Sequence, residues 1–151
     1  MVELCAALDE GIKLEHDSKL FYARNAKAAK NADVRALFET LAKEEKTHEE
    51  SLKTLGKGKS CPLSLGKQKH KLSAPKIGDS FSSEELEEYS TILLVAMGFE
   101  QKAKGFYDAL ALATQNSDEA KTFRELAGFE QKHYDLLNSL YEEINYYRLE
   151  T

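Results

Sequence analysis

Two short segments of the sequence pair a glutamate with a histidine three residues later. The pairs are Glu45 with His48 and Glu130 with His133. Residues three apart share a face of an α-helix, so each pair can present a carboxylate and an imidazole to one point. Iron and manganese bind such mixed oxygen and nitrogen ligands. The two segments therefore predict metal-binding faces on two helices.

These segments belong to a longer internal repeat with an offset of 85 residues. The same offset relates Glu15 to Glu100 and Tyr22 to Tyr107. Apolar residues recur at three- and four-residue steps in both halves, which is typical of amphipathic helices. One helix hairpin present twice indicates an all-α four-helix bundle. We expect the helices to span about 2–30, 33–55, 83–115 and 118–147.

The connection between the hairpins is long for a compact domain. Residues 56–81 contain both prolines and sustain no helical period. We expect a crossover along the bundle here, within one domain of residues 1–151 whose hairpins cover about 2–55 and 83–147. The lysine-rich stretch 57–76 is either a solvated loop or a docking patch for an acidic electron donor.

The number and placement of the acidic residues indicate a site for two metals. Four inward-facing carboxylates would repel one another and be costly to bury without cations. Two divalent ions would offset their charge, with Glu45 and Glu130 as bridges and the remaining ligands divided between the ions. Those remaining ligands are Glu15, Glu100, His48 and His133.

The stretch from Glu15 to Tyr22, then Leu-Ala-x-x-Glu-x-x-His from Leu41 to His48, with both repeated, resembles the ferritin-like di-iron proteins and rubrerythrins in particular. The resemblance covers nearly all of the chain outside 56–81. It implies two iron ions, and a two-electron reduction of hydrogen peroxide with slower oxidation by oxygen. It also implies that Tyr22 and Tyr107 hydrogen-bond to ligand carboxylates. The implied iron ligands are Glu15, Glu45, His48, Glu100, Glu130 and His133.

Two features depart from the rubrerythrin pattern. Rubrerythrins carry a further glutamate three residues after the third-helix ligand, where this chain has Ala103, which puts the associated iron movement and efficient peroxidase activity in doubt. The sequence also holds no Cys-x-x-Cys pair of the rubredoxin type. We therefore expect electrons to come from a separate protein, such as a rubredoxin-like donor, and by the resemblance we expect a homodimer.

Three alternatives stay open at this stage. A di-manganese or mixed centre uses the same ligand types. A ferritin-like protein that oxidises and stores iron would share the bundle. A metal-free structural bundle is the third.

The small residues before the ligand glutamates further suggest space beside the metals for a small oxidant. These residues are Gly11, Ala42, Ala96 and Ala127.

Composition narrows the classes of partner. The formal net charge of −5 argues against nucleic acid. The sequence has no apolar run of the ~18 residues needed to span a membrane, and its first residues lack a secretory signal pattern. We expect a cytoplasmic protein in which Cys5 and Cys61 are reduced thiols, with His16 and His70 at the surface.

Overall fold

The computed structural model describes residues 4–58, 72, 74–78 and 81–150. Across these ranges the chain is all-α and contains no strand, which confirms the predicted four-helix fold class. No described helix is long and apolar enough to cross a membrane. The helices are α1 (Leu4–Ala28), α2 (Ala32–Gly58), α3 (Ser83–Ala113) and α4 (Ser117–Glu150).

Polar side chains cap the first turn of three of the helices. The Asn31 side-chain oxygen accepts hydrogen bonds from the backbone N–H groups of residues 33 and 34 at the start of α2. Asn116, its repeat counterpart, does the same at the start of α4. Ser82 and Glu85 form a reciprocal capping box on α3. The repeat therefore extends to the turns that separate the helices of each hairpin.

The helices pack as two hairpins. α1 packs on α2 and α3 packs on α4, while α1 and α3 join the hairpins. Tyr22 near the end of α1 reaches Glu100 in the middle of α3, and Tyr107 farther along α3 reaches Glu15 of α1. The two helices are therefore antiparallel. Each hairpin thus contributes one helix to the contact between the two hairpins.

The connection between α2 and α3 lies only partly within the described residues. Pro75 and Ile77 line a small cavity with Val34 and Phe38, near the start of α2. Pro75 and Ile77 thus lie near the start of α2, whereas that helix ends at Gly58. α2 continues past the predicted end at residue 55, because Leu55 is fully buried and its packing outweighs the low helix propensity of Gly56 and Gly58.

The core consists of two apolar clusters on either side of a polar layer. One contains Tyr22, Phe38 and Leu137, and the other contains Leu8 and Phe123. The polar layer lies at the middle of all four helices. It holds buried carboxylates and imidazoles, so the helices position ionisable groups where water is excluded.

Candidate metal centre

All six residues that the sequence singles out as ligands meet in this central layer. α1 and α3 contribute one glutamate each, and α2 and α4 contribute a glutamate and a histidine each. None exposes more than 2% of its surface. The six are Glu15, Glu45, His48, Glu100, Glu130 and His133.

Their side chains form two groups of four that could each hold a metal ion. In each group one ligand atom per residue lies within 4.8 Å of the others. Glu45 and Glu130 belong to both groups, as bridging carboxylates must. The first group adds Glu15 and His48, and the second adds Glu100 and His133.

The two halves of this centre are related by a near two-fold arrangement. His48 Nδ1 lies 3.1 Å from Glu130 Oε1, and His133 Nδ1 lies 3.0 Å from Glu45 Oε1. Each histidine thus approaches the shared glutamate of the opposite hairpin. The corresponding distances to Glu15 and Glu100 are 3.6 and 3.4 Å. The imidazole rings are nearly parallel, with centroids 6.1 Å apart.

Several ligand atoms in the layer lack any hydrogen-bond partner among the described residues. Both carboxylate oxygens of Glu45 are buried in this state, as is one oxygen of Glu15, Glu100 and Glu130. Buried polar groups normally find partners because desolvation without a partner is costly. A concentration of unpartnered acceptors around two points fits a pair of cations. The donor set suits iron or manganese.

Burial and mutual repulsion shift the pKa of the shared glutamates upward. Desolvation raises the pKa of Glu45 well above 4.5, and the nearby Glu15 and Glu100 carboxylates add to the shift. The pKa of Glu130 is raised for the same reasons. Without cations, protons therefore reduce the negative charge at the centre of the site.

The outer glutamates show the opposite shift. Burial acts to raise the pKa of Glu15, but His48 and hydrogen bonds outweigh it and lower that pKa to about 2. Glu100 is also shifted down, because hydrogen bonds from its neighbours and the charge of His133 exceed the effect of burial. For His133 itself, burial acts to lower the pKa, but Glu100 and other acceptors raise it well above 6.5.

The two predicted tyrosines each support a glutamate across the hairpin boundary. Tyr22 Oη donates to Glu100 Oε1 at 2.6 Å, and Tyr107 Oη donates to Glu15 Oε1 at 2.6 Å. Both tyrosines are fully buried. Burial and the adjacent carboxylates raise the pKa of both phenols well above 10.0, which keeps the donating protons in place.

Glu44 is a further buried carboxylate at the site that the sequence reasoning missed. Its Oε2 lies 2.5 Å from Nε2 of His133, and the residue is 1% exposed. A signal was present in the helical spacing. Glu44 follows Leu41 by three residues and precedes His48 by four, so it falls on the inward face of α2.

Ala103 stands where rubrerythrins carry a further glutamate, and its surroundings are apolar. Ala103 is buried in the apolar cluster that contains Leu8 and Tyr107, so this position adds no seventh ligand to the centre. His16 is largely exposed as expected, yet its ring contacts Glu49 Oε1 at 3.1 Å. Glu49 is itself buried, pairs also with Lys19 and Lys53, and belongs to neither of the two ligand groups. His70 lies outside the described residues.

Comparison with known proteins supports the resemblance seen in the sequence. The sequence model of the rubrerythrin family matches residues 91–149, which cover most of α3 and α4. The matched segment includes Glu100, Tyr107, Glu130 and His133. Searches of curated proteins and of solved structures gave no match.

Proposed function

From the rubrerythrin-like character of the chain, we propose that it is a non-haem di-iron protein that reduces hydrogen peroxide or oxygen with electrons from a separate donor protein. The observation that carries this proposal is the pair of four-residue groups sharing Glu45 and Glu130. Shared carboxylates are what two adjacent cations require, and a solvated or structural cluster does not need them.

The residues divide into three tasks. Glu15 and His48 would hold one ion, Glu100 and His133 the other, and the two central glutamates would bridge both. Tyr22 and Tyr107 hold the outer carboxylates in place by hydrogen bonds. The apolar clusters above and below keep bulk water out, so the charges act in a medium of low polarity.

The proposed reaction is balanced by two electrons and two protons. Two ferrous ions held by the six ligands would supply the two electrons that, together with two protons, reduce one hydrogen peroxide to two waters. A separate one-electron donor protein would restore the ferrous state. The chain's own contribution is to orient the ligands and to limit access to a small oxidant.

Metal content is the direct test of the centre. Protein loaded anaerobically with ferrous iron and then desalted should retain two ions per chain, measured by elemental analysis. The same loading with manganese tests the alternative metal. Less than one retained ion per chain after both loadings would contradict the proposal and favour the metal-free bundle.

A matched pair of variants tests the bridging role. Glu45→Ala should remove one ion and weaken the other, because a bridge serves both positions. Glu15→Ala should weaken only the ion held with His48. Elemental analysis and competition with a chelator measure both effects. Two tightly bound ions in Glu45→Ala would contradict the bridging assignment.

Turnover separates the redox enzyme from an iron-storage protein. Anaerobically reduced protein should consume one hydrogen peroxide per two-iron centre, followed by absorbance, and should turn over when a chemical one-electron donor is present. The Glu45→Ala variant is the control for free iron chemistry. Accumulation of many irons per chain under air, with no peroxide turnover, would instead support storage.

A further inference from the structure

The two histidines of the centre differ at the ring nitrogen that points away from the carboxylates. His133 Nε2 lies 2.5 Å from Glu44 Oε2, and both residues are buried. His48 Nε2 is also buried but has no hydrogen-bond partner among the described residues. The six ligand residues are therefore related by a near two-fold arrangement, but the residues that contact the outer histidine nitrogens are not.

The internal repeat locates the cause of this difference. The position equivalent to Glu44, 85 residues later, is Phe129. The Phe129 ring stacks against His48, with centroids 5.3 Å apart and an angle of 27° between the planes. The Lys132 ammonium lies 5.7 Å from the centre of the Phe129 ring. One histidine thus faces a carboxylate where the other faces an aromatic ring.

This replacement has consequences for metal binding. A carboxylate that accepts the outer N–H of a ligand histidine selects the tautomer whose other nitrogen is free to bind, and it increases the basicity of that nitrogen. It also restricts rotation of the ring. An aromatic ring stacked on an imidazole offers no acceptor in the imidazole plane, where the N–H points, so it supplies neither effect.

We propose that Glu44 is a positioning residue that makes the two metal positions unequal. The position built on Glu100 and His133 binds first and more tightly, and the position built on Glu15 and His48 binds second and more weakly. This inference rests on the proposed two-metal function and adds to it an order of filling. It assigns the order to Glu44 in one half and Phe129 in the other.

Stepwise titration with Co²⁺ tests the order of filling. Calorimetry and the visible absorption of cobalt should show two steps whose affinities differ by about tenfold or more. Glu44→Gln should lower the affinity of the position built on Glu100 and His133 by about 10- to 100-fold and leave that of the position built on Glu15 and His48 within about twofold. Glu39→Gln, an exposed carboxylate on the same helix, is the control and should change neither step.

The selectivity for one step is the decisive readout. A through-space effect of the lost charge would weaken both steps together, and that result would overturn the positioning role. An unchanged titration in Glu44→Gln would overturn it as well. Circular dichroism of each metal-free variant establishes that the helices are intact before the titration.

Removal of each histidine identifies which position fills first. His48→Ala should keep one cobalt with the affinity of the tighter step, whereas His133→Ala should keep only weak binding. The reverse pattern would overturn the assignment. Wild-type protein that binds two cobalt ions in equal steps contradicts only this inference, whereas protein that binds none contradicts the proposed function itself.

Discussion

At the scale of single residues, the centre depends on groups that hold the ligands. Tyr22 and Tyr107 each donate one short hydrogen bond to a buried carboxylate that has few other partners. Such bonds to charged groups are stronger than bonds between neutral groups. The loss of one leaves a buried acceptor without its partner, so the cost exceeds that of an exposed bond.

Tyr22→Phe should therefore destabilise the metal-free protein by about 1–3 kcal/mol, because the Glu100 oxygen loses its donor in a dry environment. Tyr107→Phe should have a similar effect through Glu15. The free energy of unfolding in urea measures both. Tyr146→Phe is the matched control, since this residue is 62% exposed and does not belong to the core. Equal stability of Tyr22→Phe and wild type would contradict this role of the hydroxyl.

The grouping of the six ligand residues could be predicted from the sequence because the same pattern occurs twice in one chain. A single Glu-x-x-His is weak, but a second copy at the offset that also relates Glu15 to Glu100 marks one site. Glu44 was not predicted, because a pattern of ligand types does not show what lies behind a ligand. The contrast with Phe129 is visible in the sequence only once the outer nitrogen of His133 is known to need a partner.

At the scale of the helices, the spacing of apolar residues and the internal repeat were sufficient to predict four helices and their order. The ends were less predictable, because packing decides how far a helix continues. α4 extends to Glu150 rather than 147, and α2 includes Gly56 and Gly58. The sequence predicts a crossover along the bundle, but residues without a period carry no signal for where each of them lies.

The helical glycines show how packing modifies an intrinsic preference. Gly11 was expected to leave room beside the metals. A Cβ there would instead lie 3.2 Å from Leu52 and 3.4 Å from Phe106, so the space is taken by side chains that surround Tyr107. Gly105 has nothing within 4 Å of the equivalent point. The same residue type therefore serves close packing in α1 and lies at an open position in α3.

Gly105→Ala should stabilise the protein by about 1 kcal/mol, since alanine is the better helix former and nothing obstructs its methyl group. Gly11→Ala should give a smaller gain or a loss, because Leu52 and Phe106 must shift to admit the methyl group. Thermal and urea unfolding of the two variants measure the difference. Equal stabilisation by both substitutions would contradict the proposed close packing at Gly11.

At the scale of the whole molecule, the centre couples folding to pH and to metal. In the metal-free state the shared glutamates and His133 have raised pKa values, while Glu15 and Glu100 have lowered ones. As the pH rises, the groups with raised pKa values lower the stability of the fold, whereas the groups with lowered pKa values increase it. Cations would replace the protons of the first set, because a ligand carboxylate or imidazole must be deprotonated to bind.

The sign of each contribution follows from proton binding in the folded and unfolded states. Glu15 stabilises the fold above pH 4.5, and that contribution is lost as the pH falls toward about 2. His133 stabilises the fold below pH 6.5, and its contribution is lost as the pH rises through its raised pKa. The shared glutamates lower stability as the pH rises above 4.5, because ionisation becomes harder in the fold than in the unfolded chain.

Metal-free protein should therefore be most stable near about pH 5 and should lose stability toward about pH 9, whereas metal-loaded protein should keep its stability over that range. Melting temperatures at fixed ionic strength, with and without two equivalents of Co²⁺, measure both curves. Uptake of metal should release protons, which a weakly buffered solution with a pH indicator detects. A metal-free protein equally stable at both pH values would show that burial of these carboxylates is not balanced by protons.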